Sequence, residues 1–344
     1  MIPDLVTWVV EALAVAALAM TLGRSRSARW LADNPNERSL HESPIPKVGG
    51  IALVLVGFPV AAFRADADML VLLGCALFLA LLSVLDDVRS LPIEVRLPAH
   101  LAAALVAVLA IVPQAGIESA PAWVEGLLAV GAIAWMTNLY NFMDGSDGLS
   151  GGMAAIGFAS LAVAAGSHSL PLAWCAAAIA AASAGFLAVN FPPARVFLGD
   201  AGSIPLGFLA AGLGLAGVVR GLWPAWFPVL VFSPFIADAT VTIARRALRR
   251  EKVWRAHREH AYQRLVLSGW PKRRLALAGF ALMAAAGASA VAALRLEPML
   301  QCGILAAWAV LYALLFLAID RHAGRARGTP ANGIGPEQQP NKAR

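Results

Sequence analysis

The feature that most constrains this chain is a series of apolar runs divided by short polar segments, at positions 5–22, 50–63, 69–85, 97–112, 123–137, 151–165, 170–189, 204–219, 223–244, 275–294 and 299–319. Crossing a bilayer takes roughly 20 residues at 1.5 Å each, so the shorter runs must tilt or borrow flanking residues. The runs are rich in Ala and Leu and lack the alternation of membrane strands, so their backbone groups must be satisfied within helices. The expected fold is therefore all-α, a polytopic integral membrane protein with about eleven transmembrane helices. Composition agrees. The chain is 59% hydrophobic and 14% charged, against about a quarter charged in soluble domains.

One transmembrane domain is expected over residues 1–321, followed by a polar tail over 322–344 that reads as disordered and cytoplasmic. The first run carries Asp4 and Glu11 and has no basic residue before it, so it reads as a retained helix rather than a cleaved signal. Cys75, Cys175 and Cys302 each sit alone in an apolar run and read as small hydrophobes.

With the N-terminus outside, the inside loops hold all of the 27 Lys and Arg residues except Arg64, Arg220 and Arg295. That asymmetry fixes the orientation by the positive-inside rule and places the C-terminus in the cytoplasm. The expected location is a membrane, with the polar loops on its cytoplasmic face. The formal charge of +6 is explained by attraction of juxtamembrane loops to anionic lipid, and no nucleic-acid role follows.

The unusual polar segments all fall on the inside. Asp86 and Asp87 stand where the third run ends, and adjacent carboxylates repel unless a cation or proton separates them. The segment Asn138-Leu139-Tyr140-Asn141-Phe142-Met143-Asp144-Gly145-Ser146-Asp147-Gly148-Leu149 concentrates amide and carboxylate oxygens. Such hard ligands suit Mg²⁺ or Mn²⁺, with phosphate oxygens completing the shell. The spacing is not that of a calcium-binding EF-hand. In Asn190-Phe191-Pro192-Pro193-Ala194-Arg195-Val196-Phe197-Leu198-Gly199-Asp200-Ala201-Gly202-Ser203, a lone acid stands between glycines before a helix, where backbone N–H groups and a carboxylate-held metal can meet a phosphate. In Arg255-Ala256-His257-Arg258-Glu259-His260-Ala261-Tyr262-Gln263, two imidazoles and a guanidinium can clamp diphosphate oxygens. Zinc is the competing reading of His257 and His260, but no further ligand stands at the right spacing.

Together with Pro44-Ile45-Pro46-Lys47-Val48-Gly49-Gly50, these motifs occur in order over residues 40–265, and the chain resembles the polyprenyl-phosphate N-acetylhexosamine-1-phosphate transferase family. Within it, eleven spans and a spaced His-Arg-Glu-His resemble the O-antigen-initiating branch rather than phospho-N-acetylmuramoyl-pentapeptide translocase. The resemblance implies attack by a polyprenyl phosphate on the sugar-linked phosphorus of a UDP-N-acetylaminosugar, releasing UMP. It further implies Asn141 and Asp200 as metal ligands, with Asp144 supporting their loop. Asp86 or Asp87 would orient or deprotonate the lipid phosphate. Phe197 would stack on uracil while Asn190 and Asp147 bond its edge, and Lys47 and Asn138 complete the substrate-binding set. His257, Arg258 and His260 would hold the diphosphate or the sugar. A homodimer is compatible with this reading.

Pro228 and Pro234 remove backbone donors from the ninth run and can bend it to open a lipid-facing groove, where the polyprenyl tail is expected. Asp238, in the same run, is expected to face the inside cavity near the basic loop. A proton- or ion-coupled transporter is the main rival class, but transporters place charged groups near the midplane, whereas these acids gather at the inside ends of the runs. A phospholipid head-group transferase would need several aspartates at helical spacing on one segment, which the sequence lacks.

Overall fold

A computed structural model describes residues 2–33, 43–112, 121–252 and 257–328. Each apolar run falls on helix. In chain order these are α1 (Ile2–Arg24), α2 (Gly49–Ala62), α3 (Ala67–Arg89), α4 (Ile93–Ile111), α5 (Ala122–Phe142), α6 (Leu149–Ala165), α7 (Leu170–Asn190), α8 (Asp200–Val219), α9 (Trp226–Val231), α10 (Ser233–Leu248), α11 (Ala261–Leu267), α12 (Lys272–Ala293) and α13 (Pro298–Gly328). Among the described residues, seven of these are long and apolar enough to cross a membrane. The protein is thus an all-α polytopic membrane protein.

Three local features differ from expectation. The ninth run is not one helix: α9 stops at Val231 and α10 begins at Ser233, with Pro234 in its first turn, where its missing donor has no carbonyl to serve. The last helix continues through Gly328, so residues 322–328 of the expected tail are helical, and 329–344 lie outside the described residues. A two-residue antiparallel ribbon, β1 (Ala32–Asp33) with β2 (Ile45–Pro46), interrupts the helical plan ahead of α2.

Helix α7 is embedded among α1, α2 and α6, while α8 packs against α3 and α5. Small residues let these backbones approach, as is usual where lipid supplies no hydrophobic drive between helices. A methyl on Gly185 would overlap the Ala12 carbonyl, and one on Gly50 would overlap the Gly202 backbone. The second approach brings the N-terminal ends of α2 and α8 together. It is reinforced by Gly49 N donating to Phe197 O (2.9 Å), Gly50 N to Leu198 O (2.8 Å) and Phe197 N to Pro46 O (2.8 Å). Two motifs separated by some 150 positions are thereby zipped backbone to backbone.

Candidate active site

The zipped segments border a cavity of about 300 Å³. Of the residues singled out in the sequence, Lys47, Asn141, Asp144, Asp147, Asn190, Phe197, Asp200 and His257 line it. Asn141 comes from the last turn of α5, and Asp200 opens α8 just after Gly199, whose φ of 71° suits glycine. An acid in the first turn of a helix also faces the favourable end of its dipole. The Asn141 side chain is hydrogen-bonded to Asp200, and its Oδ1 accepts from Ser203 Oγ at 2.8 Å. The two expected metal ligands are therefore adjacent.

Burial, with the charge of Asp200 adding to it, pushes the Asp144 carboxyl up to about 8. Lys47 pairs with Asp33 at 3.2 Å. Burial draws the Lys47 ammonium down, but Asp33, Asp87 and Asp200 outweigh it and leave the group above its ordinary value. Asp87 thus acts on the site through its charge, although its side chain is not among the cavity walls.

Asp86 is held by partners outside the cavity, although its charge reaches Asp200. Its carboxylate accepts from Arg96 Nη1 at 2.7 Å and from Leu91 N at 2.6 Å, bracing the turn from α3 into α4. Asn138 donates to Ala134 O at 2.8 Å along its own helix and does not line the cavity. The expected histidine clamp is split. His257 reaches the cavity, whereas Arg258 and His260 are not in its walls, and His260 is buried at the start of α11. Burial, then His260 and Arg246, push His257 down to about 4, so at neutral pH it offers a neutral imidazole rather than a cation. Arg255 and Ala256 of that motif lie outside the described residues.

Asn190 and Asp147 brace the loops. Asn190 Oδ1 accepts from Gly148 N (2.8 Å) and its Nδ2 donates to Val196 O (2.9 Å). Asp147 accepts from Lys272 Nζ (3.0 Å) and Ala194 N (3.1 Å). These bonds tie the loop after α5 to the loop before α8 and to the first turn of α12.

Asp238 does stand beside the histidine loop. It accepts from Ala261 N (2.7 Å) and Tyr262 N (3.2 Å) and lies 3.5 Å from His260 Nδ1. Its burial deep in a helical bundle is thus compensated by backbone donors that would otherwise be orphaned at the start of α11.

Four cavity residues were given no role from the sequence: Asp33 and Lys272, which lie outside the motifs, and Tyr262 and Gln263, which close the histidine segment. Lys272 opens a basic run that reads as membrane-surface charge, and Tyr262 follows the histidines without a pattern of its own. Only tertiary packing turns them inward.

Beside the polar cavity lies an apolar groove of about 720 Å³, formed by α10, α11, α12 and α13 and including Pro234, Phe235, Trp270, Trp308 and Phe316. Pro228 does not line it.

The chain is thus a membrane helical bundle with an acidic, lysine-braced cavity at the loop ends of its helices, next to an apolar groove. Comparison with known proteins narrows that description. The model of glycosyl transferase family 4 matches residues 69–218, which include the aspartate pair, Asn141, Asp144 and Asp200. A probable undecaprenyl-phosphate N-acetylglucosaminyl 1-phosphate transferase of Bacillus subtilis is 29% identical over 79% of this chain and 80% of its own. An undecaprenyl-phosphate alpha-N-acetylglucosaminyl 1-phosphate transferase of Yersinia pestis is 27% identical over 71% and 72%. A phospho-N-acetylmuramoyl-pentapeptide-transferase of a Picosynechococcus species is 25% identical over 80% and 81%. The resemblance read from the motifs is thus shown, and the chain is similar to bacterial membrane sugar-1-phosphate transferases.

Proposed function

We propose that this protein transfers an N-acetylaminosugar-1-phosphate from a UDP-sugar to polyprenyl (undecaprenyl) phosphate, releasing UMP and starting a lipid-linked cell-envelope glycan such as O-antigen. The single observation that carries the reading is the cavity's charge. Among the described residues, Asp33, Asp147 and Asp200, joined by Asp144 once it ionises, face Lys47 and Lys272 as fixed cations, and both lysines are already paired with acids. A sugar nucleotide and a lipid phosphate add further negative charge, so such a site needs a divalent ion to hold both.

The residues fit Mg²⁺, or Mn²⁺ in its place. Among the described residues no three acidic, histidine or cysteine side chains stand together as a metal cage. That suits an ion that keeps one or two protein oxygens and takes the rest from phosphate. Asn141 and Asp200 would hold it, with Asp144 supporting from the same loop. When bound, the ion neutralises charge on the diphosphate oxygens.

The protein's own groups do the positioning. Phe197, fixed by its backbone bond to Pro46, offers a ring face for uracil. Asn190 and Asp147 hold the loops that shape that pocket. Lys47 and neutral His257 present donors to phosphate or sugar oxygens. The charge of Asp87, felt in the cavity, would orient the lipid phosphate for in-line attack; with a second phosphate pKa near neutrality, proton removal contributes modestly. The apolar groove beside Pro234 accommodates the polyprenyl tail, so lipid and sugar nucleotide meet at the polar cavity.

We further read the eleven helical runs as eleven spans with the N-terminus outside and the cavity facing the cytoplasm of a bacterial inner membrane, since the basic loops lie on the cavity side. UMP release from a panel of UDP-N-acetyl sugars, with undecaprenyl phosphate and with or without Mg²⁺, tests the function and identifies the sugar. Turnover that needs no lipid acceptor contradicts the proposal.

A further inference from the structure

Tyr262 is the residue at which the two cavities meet: its side chain lines the polar cavity and the apolar groove alike. It is held from four directions. Its hydroxyl donates to Phe142 O at 3.2 Å, at the end of α5 between Asn141 and Asp144. Its backbone N–H donates to the buried Asp238, which itself borders the groove. Its ring stacks on His260 with centroids 5.8 Å apart and planes 14° apart. A side chain at Gly145 would collide with the Tyr262 hydroxyl, so the metal-loop backbone is closed against it. A ring fixed this firmly, polar at one end and apolar on its faces, forms a boundary between two solvents.

We propose that Tyr262 is a specificity-determining threshold for the lipid acceptor, marking where an isoprenoid-like chain ends and its phosphate begins. This rests on the reading of the protein as a transferase onto a lipid phosphate. An acceptor lying in the groove must pass this ring to bring a phosphate oxygen to the cavity. The ring face supports the first apolar units of the chain while the hydroxyl edge stays with the polar loop. The ring is therefore felt chiefly by the lipid, while the sugar nucleotide is held through Phe197 and Lys47.

The test uses the full chain in detergent with Tyr262→Ala and Tyr262→Phe. Tyr262→Ala should raise KM for undecaprenyl phosphate on the order of tenfold while KM for the UDP-sugar moves less than about twofold, a split that uniform damage to the site would not produce. Tyr262→Phe, which keeps the ring, should stay within about threefold of wild type for both. Equal changes in the two KM values, or a fall in kcat at unchanged lipid KM, overturn the proposal. Should Tyr262→Ala fail to fold by thermal melt, Tyr262→Leu carries the same expectation, because it keeps apolar bulk without a ring.

Direct binding separates this proposal from the functional reading. Farnesyl phosphate and farnesol are compared by native mass spectrometry on wild type and on Tyr262→Ala. Wild type should prefer the phosphate, and the variant should lose that preference. If wild type releases no UMP with any UDP-sugar, the transferase reading falls while this binding difference still decides the threshold. No preference in wild type, or an unchanged one in the variant, overturns it.

Discussion

Asp86 accepts a hydrogen bond from Arg96 across the turn between α3 and α4, at 2.7 Å, while its neighbour Asp87 acts on Lys47 inside the cavity. Successive residues on an α-helix point about 100° apart, so the two acids take different partners, although the charge of Asp86 also reaches Asp200. Replacing Asp86 by Asn should cost about 1 kcal/mol of stability, the scale of a partly exposed ion pair, with kcat/KM within about tenfold of wild type. Replacing Asp87 by Asn should lower kcat/KM by about 10² or more. Thermal melts and UMP release on the two variants check the division of roles, and equal losses would refute it.

The Asp144 carboxyl, pushed up to about 8 by burial, is protonated at neutral pH while no metal is bound. A divalent ion favours the ionised form, so binding the ion must release this proton. Apparent Mg²⁺ affinity should therefore strengthen as pH rises toward 8, by up to about tenfold per pH unit, and level off above it. Calorimetric titration from roughly two pH units below the half-point to roughly one above it measures this. In Asp144→Asn the slope should disappear. An affinity independent of pH in the wild-type protein would detach Asp144 from the metal loop.

Lys272 and Asp147 form a pair across the cavity wall, with Asp147 buried and Lys272 24% exposed. Among the described residues, Lys272→Met leaves the carboxylate with the Ala194 N–H alone, and should cost about 2 kcal/mol, less than a fully buried pair because Lys272 is partly hydrated. Adding Asp147→Asn should restore a good part of that loss, since no uncompensated charge then remains. Chemical or thermal unfolding of the single and double variants gives the coupling. Strict additivity would show that the pair does not hold the loops.

The helical plan was legible because apolar runs are a direct record of lipid contact: each of the eleven lies on helix. The break at Phe232 was foreshadowed by Pro228 and Pro234, although the sequence pointed to a bend and the chain has two helices. Cavity-lining residues were legible where hard-oxygen chemistry concentrates them locally, as at Asn141, Asp144 and Asp200. Roles set by side-chain direction were not. Asp86 and Asp87 are equivalent on paper, and Asn190 and Asp147 look like ligand-binding groups yet spend their atoms on backbone N–H, carbonyl and lysine partners. Lys272 and Tyr262 enter the cavity only because α11 and α12 fold back over the loops after α5 and before α8.

The central claim is that the sugar leaves its nucleotide together with one phosphate and moves to a lipid in a metal-dependent step. It is tested most directly with UDP-N-acetylglucosamine, or whichever UDP-sugar is turned over, carrying ³²P in the sugar-linked phosphate. Incubated with purified protein, undecaprenyl phosphate and Mg²⁺, the label should pass into the organic-soluble lipid with an equal amount of unlabelled UMP, and should stay in water when Mg²⁺ is chelated or Asp200 is replaced by Asn. Label recovered in UDP, or in a free sugar phosphate formed without lipid, would contradict the account.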